Sequence, residues 1–317
     1  MNFSFGKKTS EAVGLDVDGG FLAAAVVDDG SIGRLASAEL APGVTADGEV
    51  KDPAALSSAL KDLFRSHKLP ERVRLGVANQ QIVVRQMEIP MIEKLPERDA
   101  AVRFLAAEAI AMPLEEAVLD YQQIGAFEGP DGGVRERVLV VAARASMINK
   151  LLEAVKGAGL KPDGIDLSAF ALVRMFADPV EVTPETLESP QPARVLCHLG
   201  GVTNVAIAAG PICLFTRPLQ TVWSADDEGV VSSLAEEIRL SLDFHMAQPN
   251  AIPVNSIVLS GPGATDELVA NELEARTGLP VSVGEPLGAL GTHTVPSHED
   301  PSRFTVAAGL ALGVEAA

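Results

Sequence analysis

Cysteine is scarce. Two residues among 317 are too few for a disulfide framework or a cysteine-based zinc site. Aromatic residues make up only 4% of the chain, with one Trp and one Tyr, which argues against the stacking platforms that hold single-stranded nucleic acid. Basic charge is also short. Lys and Arg number 25 against 43 Asp and Glu, a formal net charge of −18, whereas duplex nucleic acid and anionic lipid both call for a basic face. No run reaches the roughly 18 apolar residues of a membrane span, and the longest candidate, Val205 to Phe215, is interrupted by Gly210 and Pro211. The opening MNFSFGKKTSEAVGL has no hydrophobic run before a cleavage site and does not read as a signal peptide. A soluble cytoplasmic protein is the expectation.

Hydrophobic residues are plentiful at 47%, enough to bury a core in about two domains. Residues 13–27 read as a strand, a tight turn at Gly19-Gly20 and a second strand, and 31–40 as a third. A helix starts at Asp52-Pro53 and runs to 66, with Leu56, Leu60, Leu63 and Phe64 on one face. Strands follow at 73–79 and 82–89, closed by Pro90. A helix from Glu97 to Ala111 carries Ala101, Phe104, Leu105 and Ala109, and a strand is expected near 118–124. The strand 134–143 leads to a helix at 146–158 that Gly159 caps, then a helix at 167–176. Residues 178–192, with four prolines and three glutamates, read as a linker.

After the linker the pattern restarts. Residues 194–219 again read strand, Gly-Gly turn, strand, turn, strand. An amphipathic helix carries Leu234, Ile238 and Leu242, and a strand at 256–264 opens into a glycine turn and a helix at 266–277. A strand at 279–283 and a small-residue helix at 303–313 complete the chain. Laying Asp16 on His198 brings Gly19 onto Gly201 and Ala24 onto Ala206. Such a repeat indicates a duplicated two-lobed α/β fold with a ligand site between the lobes.

The candidate site residues follow from that repeat. Asp18, Gly19 and Gly20 in the first turn, Gly200, Gly201 and Thr203 in the second, and Gly261 and Gly263 in SGPGA lie where backbone N–H groups can approach phosphate oxygens. Each is also readable as a plain turn. Asp16 and Asp18 share a strand face, and Asp16 is the candidate ligand, a weak one, for Mg²⁺. The same pair reads alternatively as an aspartyl-phosphatase nucleophile with Asp226-Asp227 as the second acidic pair, but Ser260 comes too late in the order that chemistry requires. His198 has no second ligand at metal spacing, Cys197 and Cys213 read as buried thiols, and no Ser–His–Asp constellation is present, so no catalytic residue is assigned.

These blocks, in this order, resemble the PilM family, actin-like cytoplasmic proteins of type IV pilus assembly related to FtsA. FGKKTSEAVGLDVDGGFLAAAVV resembles the family's opening and first phosphate hairpin. VVRQMEIPMIEKL, AVRFLAAEAIAMPLEEAVLDYQ, LAEEIRLSLDF and IVLSGPGATDELVANELEARTGLPVSV resemble successive later blocks, the last its adenosine motif. The resemblance covers nearly the whole chain. It implies a ribonuclease H-like duplicated, actin-like fold. A first lobe (1A) spans 12–178 and contains a 1C-type insert at about 90–137. A second lobe (2A) spans 193–317, with a reduced 2B at about 221–255 and a last helix returning to lobe one.

The family's cofactors are ATP and Mg²⁺, and this chain departs from the family at that site. Asp18 stands where Gly is usual, Ala23 where Lys is usual, and His198 where an Asp is usual. The adenosine turn holds Pro262, and the 2B helices that wall the adenine are deleted. Weak or absent ATP binding is therefore expected. The resemblance further implies a scaffold that takes the N-terminal cytoplasmic tail of a PilN-like inner-membrane protein, with the motor ATPase and platform protein as further partners. The groove would lie between 1A and 1C, lined by Val84, Met87, Ile89, Phe104 and Ile110, each of which also reads as ordinary core. The alternative is an actin-like ATPase. Residence at the inner face of the membrane would come only through the partner.

Overall fold

The computed structural model describes residues 12–28, 31–129, 132–177, 192–225, 227–248, 251–285 and 300–313. Nearly all of the expected linker at 178–192, and Asp226, lie outside the described residues. The first lobe runs β1 (Val13–Asp18), β2 (Phe21–Asp28), β3 (Ser31–Glu39), the short ladder of β4 (Thr45–Ala46) and β5 (Glu49–Val50), α1 (Pro53–His67) and β6 (Arg72–Val77). Then come β7 (Ile82–Pro90), α2 (Leu95–Ala109), β8 (Ala117–Glu128) and β9 (Val134–Arg144). The chain returns to the lobe as α3 (Ala145–Gly157), β10 (Lys161–Leu167) and α4 (Ser168–Phe176). The second lobe runs β11 (Ala193–His198), β12 (Asn204–Ala209), β13 (Ile212–Pro218), α5 (Glu228–Met246), β14 (Val254–Ser260), α6 (Glu267–Thr277) and β15 (Val281–Val283), and α7 (Thr305–Ala311) follows.

The two lobes repeat one topology. Their sheets have the orders β3-β2-β1-β6-β10 and β13-β12-β11-β14-β15. In each, three antiparallel strands are joined by two parallel ones. This is the duplicated ribonuclease H-like unit of the actin-like fold. The repeat is not ungapped across the turn. Asp16 pairs with Ala23, whereas His198 pairs with Asn204, so β12 stands one residue earlier than a fixed overlay requires.

Local sequence accounts for several element ends. Asp52 caps α1 by accepting from Ala55 N–H at 2.9 Å, and Pro53 supplies the helical φ of the first turn. Leu56, Leu60, Leu63 and Phe64 are then buried, at about 1.5–3 kcal/mol each. Ala158, not Gly159, is the last half-helical residue of α3. Gly159 follows with φ +82°, and its N–H and that of Leu160 reach Lys156 O and Val155 O, closing the helix. The strand β10 was not expected. It holds Pro162, Gly164 and three charged residues, and it tolerates them because it is the edge of the first sheet.

The insert differs most from expectation. Its three-stranded sheet has the order β7-β9-β8, so the strand at 82–90 and β8 both pair with β9, and none of the three joins the first lobe's sheet. The break at Pro90 is therefore a strand end, and the sheet spans 82–144. One face of this sheet packs Met87, Ile89, Val138, Val140 and Ala142 under Val102 and Ala106 of α2. The opposite face gives Leu139, Val84 and Val141 to a core shared with α4 and with Leu196, Ala206 and Cys213 of the second lobe. The helix α2 is turned relative to the expected stripe, with Phe104 67% exposed. Its many alanines give two stripes of nearly equal apolar character, and the sheet selects the one with Val102.

Helix α7 closes the structure. Its Val306 and Leu310 join the core between the lobes, while Ala307 and Ala308 pack with Ala23, Ala25 and Met175. Backbones touch there. A Cβ on Gly14 of β1 would lie 1.9 Å from Ala307 O, and one on Gly309 would lie 2.2 Å from Ala171 O. We expect Gly309→Ala to push α7 off α4 and lower stability by about 1–3 kcal/mol. Urea unfolding should show a lower midpoint, and Gly20→Ala, where a Cβ meets nothing within 4 Å, should not. Equal midpoints would remove the steric argument.

Candidate functional site

The two glycine turns of the repeat face each other across the cleft between the lobes. The β1–β2 turn is tight, with Asp18 paired to Phe21 and Gly19 at φ +60°. Leu40 N–H donates to Gly20 O at 2.7 Å, and the Thr45 hydroxyl donates to Gly19 O, so the turn is braced from behind. The second turn spans Leu199 to Thr203. Its Gly201 and Val202 N–H groups both donate to the Asp18 carboxylate, at 2.8 and 2.7 Å. The glycines permit this approach. A Cβ on Gly200 would lie 2.2 Å from Asp18 Oδ2, and one on Gly19 would lie 3.0 Å from Gly201 Cα.

Behind the turns sits a buried polar group. Asp16 is 5% exposed, and burial, with the neighbouring Asp18 charge, raises its carboxyl well above the usual carboxylate range. His198 is fully enclosed, and burial pushes its imidazole pKa down against the opposing pull of Asp18. The Ser260 hydroxyl lies 3.4 Å from Cys197 O and 3.1 Å from His198 Nδ1, and it hydrogen-bonds to both. His198 Nε2 is buried with no hydrogen-bond partner among the described residues. Cys197 and Cys213 are buried free thiols, their pKa values pushed to about 12 by burial.

The other candidates are held within the protein. Thr203 is fully buried, its hydroxyl accepting from Trp223 N–H and its carbonyl from Leu219 N–H. At the SGPGA turn, Gly263 N–H donates to Leu199 O at 3.1 Å, and Pro262 has no N–H to give. Trp223, in the segment between β13 and α5, lies directly on that turn. A Cβ on Gly263 would sit 2.5 Å from the indole, whose Nε1–H donates to Asp266 Oδ2 at 3.1 Å. Sequence reasoning missed Trp223. As the single Trp, placed in the shortened segment, it was the available signal. Asp227 caps α5 through Gly229 N–H, which leaves it no part in a second acidic pair.

The cleft has a volume of about 630 Å³ out to its open mouth and is lined by Asp16, Asp18, Glu49, Ser168, His198 and Asn204 among others. Three of its described lining residues are carboxylates and none is Lys or Arg. Among the described residues, no three His, Cys, Asp or Glu side chains are arranged to hold a metal ion.

The five expected groove residues do not converge on one surface. Met87, Ile89 and Ile110 are core beneath α2, Val84 faces the core shared with the second lobe, and Phe104 points outward from α2. The physical reason is the sheet itself. With β7 drawn into it, alternate residues of that strand are buried on opposite faces.

Comparisons place the chain among known proteins. The family model for the type IV pilus assembly protein PilM matches residues 27–208. The solved PilM–PilN type IV pilus biogenesis complex is similar over 95% of this chain and 98% of that one, with 25% identity and a TM-score of 0.79. The cytoplasmic domain of EpsL, an inner-membrane component of the Vibrio cholerae type II secretion system, covers 96% of each chain at 12% identity and a TM-score of 0.51. EutJ of Carboxydothermus hydrogenoformans, an ethanolamine utilization protein, matches 95% of this chain and 89% of its own at 13% identity and a TM-score of 0.53. The last two share the fold. No curated protein sequence matches the chain.

A raised folded-state pKa fixes the sign of one pH effect. The Asp16 carboxyl favours the fold when protonated, and that contribution is lost as pH rises through its elevated folded pKa. Asp16→Asn removes the penalty. The melting temperature of the variant should exceed that of the wild type near pH 8, and the difference should shrink toward pH 4. A difference independent of pH would show that Asp16 carries no ionisation strain.

Proposed function

The chain belongs to the PilM family of type IV pilus assembly proteins, and we propose that it is an actin-like scaffold that holds the cytoplasmic tail of a PilN-like inner-membrane protein. In that role it links the membrane partner to the motor ATPase and platform protein. The similarity to a PilM–PilN complex supports the partner. The observation that carries the mode of binding is the β8 edge. Helix α2 packs on one face of the insert sheet, the other face gives Val84, Leu139 and Val141 to the core shared with the second lobe, and β7 approaches β13, with Gln86 donating to Leu214 O at 3.1 Å. The outer side of β8 pairs with no strand among the described residues. An extended tail adds there as a fourth strand, using main-chain hydrogen bonds for affinity and side chains such as Val118, 48% exposed, for selectivity. Its ordering cost keeps the affinity moderate.

On this reading the cleft does not serve hydrolysis. A triphosphate entering it would meet the carboxylates of Asp18 and Glu49 with no cation among the described lining residues, and Trp223 lies over the turn that would face the base. The residues present do not fit ATP–Mg²⁺, and no chemical step is assigned. An aspartyl nucleophile is also disfavoured, because burial holds the Asp16 carboxyl toward its neutral form. No described helix is long and apolar enough to cross a membrane, so attachment to the inner membrane would come through the tail.

A peptide of the partner's cytoplasmic tail should slow amide exchange along β8 on binding. Val118→Glu should weaken the peptide about tenfold, roughly 1.4 kcal/mol, while Phe104→Glu leaves it unchanged. Peptide binding without added protection of β8 would move the site elsewhere. No binding of any PilN-like tail would refute the scaffold.

A further inference from the structure

We propose that Asp18 is the resident anion of the second lobe's turn, a clasp supplied by the first lobe that holds the cleft shut without a ligand. Successive N–H groups at a glycine turn form a concave donor pair suited to an anion. Here both donors, Gly201 and Val202, end on one carboxylate at 2.8 and 2.7 Å, and that carboxylate comes from the opposite lobe. Hydrogen bonds to an ionised acceptor are the stronger kind.

Two further observations favour a built clasp over a chance contact. The tight β1–β2 turn fixes where the carboxylate points, and Leu40 N–H and the Thr45 hydroxyl brace its two glycine carbonyls. Side chains are absent where they would push the turns apart, since a Cβ on Gly200 or Gly201 would lie 2.2 Å from Asp18 Oδ2 or 2.6 Å from Asp18 O. The consequence is a fixed angle between the lobes. A cleft that closes on its own side chain presents the insert and the second lobe in one arrangement, whatever docks on β8.

The test uses the full chain with Asp18→Ala and the isosteric Asp18→Asn. Amide exchange at Gly201 and Val202 reports the clasp. Spin labels on Lys61→Cys and Asn271→Cys, one on each lobe, report the angle, and the two native thiols are buried. We expect Asp18→Ala to speed exchange at both amides by about tenfold or more, the loss of charge-assisted bonds, and to widen the inter-lobe distance distribution. Millimolar inorganic phosphate, entering the vacated cradle, should narrow it again. Asp18→Asn, able to accept only one of the two bonds, should fall between. Wild-type exchange and distances in both variants would overturn the clasp. Tail-peptide affinity measured on the same samples separates the two readings, since a lost clasp with retained peptide binding, or the reverse, assigns each failure to its own claim.

Discussion

Helix α7 lies within backbone contact of both β1 and α4, and the lobes are assembled around that contact. Helices usually stand off a sheet by the length of their side chains, but here Gly14 and Gly309 remove them. The close approach lets Val306 and Leu310 reach a core that also takes Leu172, Leu196 and Ala206. It leaves the last carbonyls of α7 to be satisfied from outside the helix. Arg74 donates to Leu310 O at 3.2 Å across 236 residues of sequence, and Arg174 donates to Gly309 O at 2.9 Å. Each arginine is itself held by a carboxylate of β10, Asp163 and Asp166 respectively. The edge strand, the helix and both sheets therefore depend on one layer of small residues.

Much of this was legible in the residues because local signals agreed. Asp52-Pro53 and the leucine spacing after it fixed α1, and the doubled strand–glycine–strand pattern fixed the duplication. What failed was pairing at a distance. Nothing in IVVRQMEIP reveals that β7 leaves the first sheet for the insert, since both environments ask for the same alternation. The turn of α2 was illegible for a related reason, because alanine on every face gives a helix no preferred side until a sheet supplies one. The strand β10 was hidden by charges that pair with Arg72 and Arg174 in place of solvent.

The sequence placed candidate residues in both glycine turns but could not show what each turn meets. Asp18 looked like a ligand-facing carboxylate on a strand face. The structure gives it protein donors from the opposite lobe, a partner 183 residues away in sequence. Thr203 likewise looked available and is enclosed, because the loop after β13 folds back on it. Glu237 of α5 holds that loop by accepting from the N–H groups of Gln220 and Thr221 at 2.9 and 3.0 Å. These are consequences of the path taken by the segment between β13 and α5. Its length could be counted, but the route it takes over the glycine turn could not.

The open flank of β8 also bears on solubility. A strand of 12 residues with unsatisfied backbone donors and acceptors is a template for any extended chain, including another copy of itself. The chain blunts this hazard only partly, with Asp120 and Glu128 on the strand and an irregularity between Gln123 and Gly125 that interrupts a regular ladder. The strong acidity of the molecule adds repulsion between copies, and salt would screen it. An occupant on this edge would therefore act as a stopper as well as a cargo, and concentrated protein without one would be most prone to aggregate at high ionic strength.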